Sequence, residues 1–311
     1  MGPLIPQSGI GRRALLLAGA SLAGACATGF GASQIVSVET FDLWPGAPPG
    51  SPATAPKEEI IERSRDPAHP DRAVIHVAKP TLKVFRPARP DGSAVLVAPG
   101  GGYQRAVLDK EGDETAMRLA RAGVTAAVLI YRLPGDGWAA GLDVSLNDAQ
   151  RAMRLLRSRV TGVNARRVGV LGFSAGGHVA ASLALRSSAS PYARVDAADD
   201  LPTRPDFAAL IYAAYLDGNG LPQGFHGENL IGMASGAPPV FLLHAADDGT
   251  VPVERSLAMY TALKSAGVAA ELHVFPEGGH GFGIERAKGK PVEAWPELFL
   301  GWGRARGMFR G

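Results

Sequence analysis

A serine, an acidic pair and a histidine stand in the second half of this chain in surroundings that would let them act as one nucleophilic unit. Ser174 lies in Gly172-Phe173-Ser174-Ala175-Gly176, directly after the apolar run Val168-Gly169-Val170-Leu171. That pattern reads as a strand ending in a tight, strained turn that exposes the serine. The motif alone is weak in a chain with 40 glycines, so only its context makes it informative. A serine hydroxyl is a poor nucleophile until a base takes its proton, and the base needs a carboxylate to hold its tautomer and stabilise the imidazolium. An acid is expected in the loop after a later strand, and the run 240–245 leads into Asp247-Asp248-Gly249-Thr250-Val251-Pro252. A histidine is expected after the last strand, and the run 271–275 leads into Gly278-Gly279-His280-Gly281.

Seven histidines compete for the part of base. His273 sits inside an alternating strand and His244 at a strand end, where packing or a local hydrogen bond is the ordinary role. The glycines around His280 let its loop approach Ser174, which no other histidine has. A further requirement is a cluster of backbone N–H groups for the charge that develops on an attacked carbonyl. Pro99-Gly100-Gly101-Gly102-Tyr103 follows the apolar run 94–98 and is suited to this, the plain alternative being a flexible glycine turn.

The elements that must position these residues alternate in type. Apolar runs rich in Val, Ile and Leu predict strands over 73–77, 81–85, 94–98, 125–131, 168–172, 207–213, 240–245 and 271–275. Helical periodicity between them predicts helices over 111–122, 147–159, 176–186, 253–266 and 295–306, with Asn147-Asp148 in capping position. Strands alternating with helices imply an α/β fold, a mostly parallel eight-stranded sheet with helices on both faces. The first two strands alternate apolar and polar residues and read as an antiparallel hairpin at one edge. No repeat interrupts 71–311, which reads as one domain; 28–70 is rich in Pro and Gly and reads as irregular chain, packed on the domain from about residue 39.

Residues 1–27 differ in kind. Arg12-Arg13 precedes an uncharged stretch rich in Ala, Leu and Gly, which reads as an export signal of twin-arginine type and places the protein in the periplasm or outside the cell. Cys26, the sole cysteine, excludes an intrachain disulfide. Its position at the end of the signal leaves two readings open, lipid attachment or removal with the signal. Net charge is +3, from 32 basic and 29 acidic residues without long runs, so nucleic acid is not expected as a partner.

Together these residues resemble a serine esterase of the α/β-hydrolase fold over about 70–302. In that family the chain order is serine, acid, histidine, and the acid is the Asp of a D-x-x-V-P segment; Asp248-Gly249-Thr250-Val251-Pro252 matches, which leaves Asp247 to hydrogen-bond the loop. The resemblance therefore implies Ser174, Asp248 and His280 as catalytic residues and the N–H groups of Gly101, Gly102 and Ala175 as oxyanion donors. Pro99 stands where related lipases have histidine. His178, in Ser174-Ala175-Gly176-Gly177-His178, is typical of the esterase branch and reads as a support for the turn. Leu43-Trp44-Pro45-Gly46, Tyr131-Arg132-Leu133-Pro134 and Asp148-Ala149-Gln150-Arg151-Ala152-Met153-Arg154 are similar to the acetylxylan-esterase-like branch. That likeness implies removal of short acyl groups, chiefly acetyl, from xylan or a related plant glycan, without cofactor or metal. A general short-chain carboxylesterase is the alternative, and a serine peptidase a more distant one. The segment 214–237 is a short cover over the site, with Tyr103, Trp138 and Phe225 as candidate substrate-stacking surfaces. A peptidase of the prolyl-oligopeptidase type would use the same triad, but such chains carry a large further domain for which 311 residues leave little room. Gly135-Asp136-Gly137 is a poor match to a dinucleotide-binding turn, and no Walker A or His-Glu-x-x-His sequence occurs.

Overall fold

A computed structural model describes Gly2, residues 36–189 and residues 192–310. The export reading and Cys26 lie outside the described residues. Eleven strands are present among them: β1 Ser37–Asp42, β2 Glu59–Glu62, β3 Arg72–Ile75, β4 Thr81–Arg86, β5 Ala94–Ala98, β6 Ala106–Val107, β7 Thr125–Ile130, β8 Val168–Phe173, β9 Ala208–Ile211, β10 Val240–Ala245 and β11 Ala270–Phe275. The α-helices are α1 Glu114–Arg121, α2 Val144–Arg159, α3 Ser174–Leu185, α4 Glu254–Ser265 and α5 Trp295–Ala305.

Eight strands form the main sheet in the order β1-β4-β7-β5-β8-β9-β10-β11. From β7 to β11 all pairings are parallel, while β4 runs antiparallel to both β1 and β7. Every residue of β5, β7, β8, β9 and β10 is buried, so both faces of the central sheet are covered. This is why those runs are continuously apolar in sequence. In β11, at the edge, the residues are only partly buried.

Eight is the expected number, but one member differs. The strand expected over 73–77 is β3, which leaves the main sheet and pairs with β2 and β6 in a separate three-stranded sheet. Its hairpin with β4 does not form. His76 adopts a positive φ of 52° between them and Val77 is fully buried, so the link turns away and packs down. The place beside β4 is taken by β1, from the segment expected to be irregular. Its Ser-Val-Glu-Thr-Phe-Asp sequence alternates, but weakly, and most of it stays exposed as befits an edge.

Helix α2 starts at Val144, before the expected position, and Asn147 and Asp148 do not cap it. They are buried within it, because Asp148 has another task. Its carboxylate takes the Arg132 guanidinium at 2.7 Å and the Trp44 indole N–H at 2.9 Å, with both charged side chains fully buried. Arg132 also donates to the Pro49 carbonyl at 2.7 Å, and Arg151 to that of Leu43 at 3.0 Å. The Leu-Trp-Pro-Gly stretch is thereby fastened to the end of β7 and to α2. Helix α1, by contrast, is shorter than expected and is preceded by a short π-helix, Asp109–Asp113.

Candidate active site

The turn between β8 and α3 explains its own sequence. Ser174 is held at a positive φ of 51°, which strains a residue with a Cβ. A Cβ on Gly172 would come within 2.1 Å of the Gly176 carbonyl oxygen, and one on Gly176 within 2.1 Å of the Ala98 carbonyl oxygen. Both glycines are thus required by close approach of backbone, where no side chain fits. The serine is left at the tip, 8% exposed, at the N-terminus of a buried helix.

Three loops at the ends of β8, β10 and β11 bring Ser174, Asp248 and His280 together. His280 Nε2 lies 2.9 Å from Ser174 Oγ, and His280 Nδ1 lies 2.8 Å from Asp248 Oδ2. An ionised Asp248 fixes Nδ1–H as the donor and leaves Nε2 to accept the serine proton. The Asp248 side chain is fully buried. Burial works to raise its pKa, and hydrogen bonds from His244, His280 and the Val251 N–H outweigh burial and hold it below the usual carboxylate range. Its Oδ1 accepts the N–H groups of Thr250 at 2.8 Å and Val251 at 2.9 Å. Asp247 does not touch His280; its Oδ1 accepts the Gly279 N–H at 2.7 Å and so ties down the histidine loop.

His244, read from sequence as packing or making a local hydrogen bond, stands behind the acid. Its Nε2 is 3.0 Å from the Val251 carbonyl and 3.3 Å from Asp248 Oδ2, so that nitrogen carries the proton, and its Nδ1 accepts the Ser256 hydroxyl at 2.8 Å. The bonds to Val251 and Asp248 are local ones of the kind expected at a strand end, whereas the bond from Ser256, in α4, carries no local signal.

The loop 99–103 is fixed by residues that sequence reasoning missed. Glu111, 2% exposed, accepts the Gly100 N–H at 2.7 Å and the Tyr212 hydroxyl at 3.0 Å. The Tyr131 hydroxyl donates to the Pro99 carbonyl at 2.7 Å. No hydrogen bond among the described residues engages the N–H of Gly101 or Gly102, and Ala175 stands in the first turn of α3, where amides lack helical partners. Gly101 and Gly102 line a cleft of about 680 Å³ together with Ser174 and His280. His178 supports this region through its Nδ1, 2.7 Å from the Tyr103 hydroxyl. Burial lowers its pKa to about 4, so it is neutral at ordinary pH.

The three aromatics singled out for stacking are placed otherwise. Tyr103 is buried behind the loop, 4% exposed, stacked on Tyr215 at 5.9 Å between ring centroids. Trp138 is buried against the Arg132 guanidinium, 4.8 Å from the ring centroid. Phe225 is half-buried in the segment 214–237 and not on the cleft lining. The aromatic that does line the cleft is Tyr215, with Pro222 of the same segment beside it. A tyrosine in a glycine-rich connection carries no signal that separates it from loop packing.

The fold is that of an α/β hydrolase, with Ser174 on the turn at the carboxyl end of β8 and Asp248 and His280 on the loops after β10 and β11. The sequence profile of the prolyl oligopeptidase family matches residues 137–300, over half of the chain, and the chain belongs to that family. The match spans Ser174, Asp248 and His280 and includes the family set aside above for lack of space, so shared family leaves ester and amide bonds both open. Among curated proteins the chain is similar to an acetylxylan esterase of Xylanibacter ruminicola, 30% identical over 229 residues, covering 66% of this chain and 44% of that protein. It is similar also to endo-1,4-beta-xylanase B of Butyrivibrio fibrisolvens, 28% identical over 231 residues, covering 67% of this chain and 34% of that protein. The chain thus spans less than half the length of these curated relatives. Among solved structures, an acetyl ester-xyloside bifunctional hydrolase from Caldicellulosiruptor lactoaceticus superposes with a TM-score of 0.67 at 29% identity, covering 83% of this chain and all of that one.

Proposed function

We propose that this protein is an exported serine esterase that removes short acyl groups, chiefly acetyl, from xylan or related plant glycans and their oligomers through an acyl-enzyme. The observation that carries the reading is the unbroken line Ser174 Oγ, His280 Nε2, His280 Nδ1, Asp248 Oδ2, with contacts of 2.9 and 2.8 Å, opening on a cleft bounded by free backbone amides. The similarity to an acetylxylan esterase supports the choice of acyl group and glycan. The export step rests on the composition of residues 1–27, with attachment through a lipidated Cys26 as its variant.

In this mechanism Ser174 Oγ attacks the ester carbonyl carbon while its proton passes to His280 Nε2. The carbonyl oxygen gains a negative charge, which the N–H groups of Gly101, Gly102 and Ala175 stabilise. Collapse expels the sugar alkoxide, which takes the proton from His280 and leaves acetyl-Ser174. A water then attacks the acyl carbon, giving its proton to His280, and acetate departs as the serine regains its proton. Ionised Asp248 keeps Nδ1 the donor throughout and stabilises the imidazolium.

The family match favours one other reading, cleavage of a peptide bond by the same residues. A panel of aryl esters of increasing acyl length, acetylated xylo-oligosaccharides and peptide anilides separates the two. Release of acetate from the oligosaccharides with no anilide cleavage is the expected result; the reverse overturns the esterase reading.

A further inference from the structure

The cleft carries more positive charge than a neutral glycan requires. Arg63, Arg105, Lys110 and Arg255 line it, against the single carboxylate of Glu111, whose oxygens are already taken by Gly100 N–H and the Tyr212 hydroxyl. Buried Asp71 must serve three cations at once: Arg63 at 2.5 Å, Arg286 at 3.1 Å and Lys110 at 3.5 Å. Arg255 is answered by Asp217 at 3.2 Å. Arg105, three residues beyond Gly102, pairs with no carboxylate among the described residues; its Nη2 reaches only the Gln104 amide oxygen at 3.2 Å. A concave wall of one sign focuses its field on an incoming ion of the other.

We infer that this wall is a subsite for a carboxylate on the substrate's sugar portion: the preferred glycan bears a uronic acid near its acetyl ester, and the Arg105 guanidinium binds that carboxylate. The inference rests on the acetyl-glycan reading above. An acetyl group is neutral and two carbons long, whereas these cations come from three separate stretches of chain around the cleft. The charge they meet therefore belongs to the part of the substrate that extends along the cleft. Arg105 suits the task because its planar fork matches both carboxylate oxygens. Arg63 and Lys110, bound to Asp71, keep the surrounding potential positive.

The test compares kcat/KM for an acetylated xylo-oligosaccharide bearing one glucuronic acid with that for its neutral counterpart. The wild-type ratio is expected to be about tenfold, to fall toward one in about 0.5 M salt, and to fall to about one in Arg105→Gln, with Arg105→Lys keeping part of it. Because Arg105 packs beside Gly101, the ratio is the informative quantity, since a general disturbance of the glycine loop lowers both substrates alike. A wild-type ratio of one, a ratio unmoved by Arg105→Gln, or a preference for an aryl hemisuccinate without one for the uronosyl glycan overturns the inference. Calorimetry with Ser174→Ala and unacetylated oligosaccharides, with and without the glucuronic acid, keeps the two readings apart. Tighter binding of the acidic oligosaccharide, lost in Ser174→Ala/Arg105→Gln, supports the subsite even if no acetate is released in the first assay, whereas equal binding overturns it whatever the esterase result.

Discussion

Among the buried polar clusters of the described residues, two were visible in sequence as motifs. One joins Arg132, Asp148 and Trp44; the other joins Ser174, His280 and Asp248. In the first the charged partners are sealed from solvent, and each bond closes on another part of the same cluster or on the backbone of 43–49. In the second the acid is equally sealed, but the chain of bonds ends on a hydroxyl that lines a cleft. A closed network fixes geometry and can do nothing more. A network with one open end transmits that geometry to a reacting atom.

Substitutions can break this contrast, and the largest effect is expected at the open end. Ser174→Ala should abolish turnover of an aryl acetate while leaving the thermal midpoint within about a degree or two, since it removes one hydroxyl and no core contact; retained turnover would displace Ser174 as nucleophile. Asp248→Asn should lower kcat by about 10⁴-fold, because an amide can present Nδ2–H to His280 and favour the wrong tautomer. Steady-state kinetics decides it, and a loss under tenfold would show that Asp248 only packs.

At the closed cluster the signs reverse. Arg132→Met leaves a buried unpaired carboxylate and should cost about 3–5 kcal/mol of stability, read by denaturant unfolding, with turnover per folded molecule little changed. An activity loss larger than the folded fraction explains would join the two clusters functionally. His178 gives a smaller effect with a definite pH window. Burial lowers it to about 4 from an ordinary value of 6.5, so the unfolded chain binds the extra proton between those values. Stability is therefore lost as pH falls from about 6.5 to about 4, by up to roughly 3 kcal/mol at 1.4 kcal/mol per pH unit. In His178→Gln the thermal midpoint should fall less over that range than in wild type; an unchanged slope would assign the acid sensitivity elsewhere. The smallest effect is expected from His244→Gln, a loss of severalfold in kcat with KM retained, since Asp248 keeps its Thr250 and Val251 amides.

Much of the fold was legible because the central strands are buried on both faces and so are unmistakably apolar. The edge was not. Strand β1 is mostly exposed and adjoins Pro- and Gly-rich chain, so its pattern is faint, while β3 has a clear pattern but pairs with strands outside the main sheet. At the site, Ser174, Asp248 and His280 stand after strands with glycines near them and could be picked out by local context. Glu111 and Tyr215 could not, since a buried carboxylate under a glycine loop and a tyrosine on a cleft wall look like any helix start and any loop aromatic.

By itself the sequence determined the order of the central strands and the helices, the serine turn after β8, and the residue types able to activate a hydroxyl, because these depend on local sterics and on side-chain chemistry. Only the tertiary structure decided that Asp248, the acid the sequence pointed to, reaches His280 at 2.8 Å, that His244 backs it, that Trp138 serves Arg132 and not the cleft, and that four cations line one cleft with Ser174. The meeting of Asp248 with His280 and of the four cations around Ser174 depends on distances between residues tens of positions or more apart. Such distances are set by how the sheet and its loops pack, which no local pattern records.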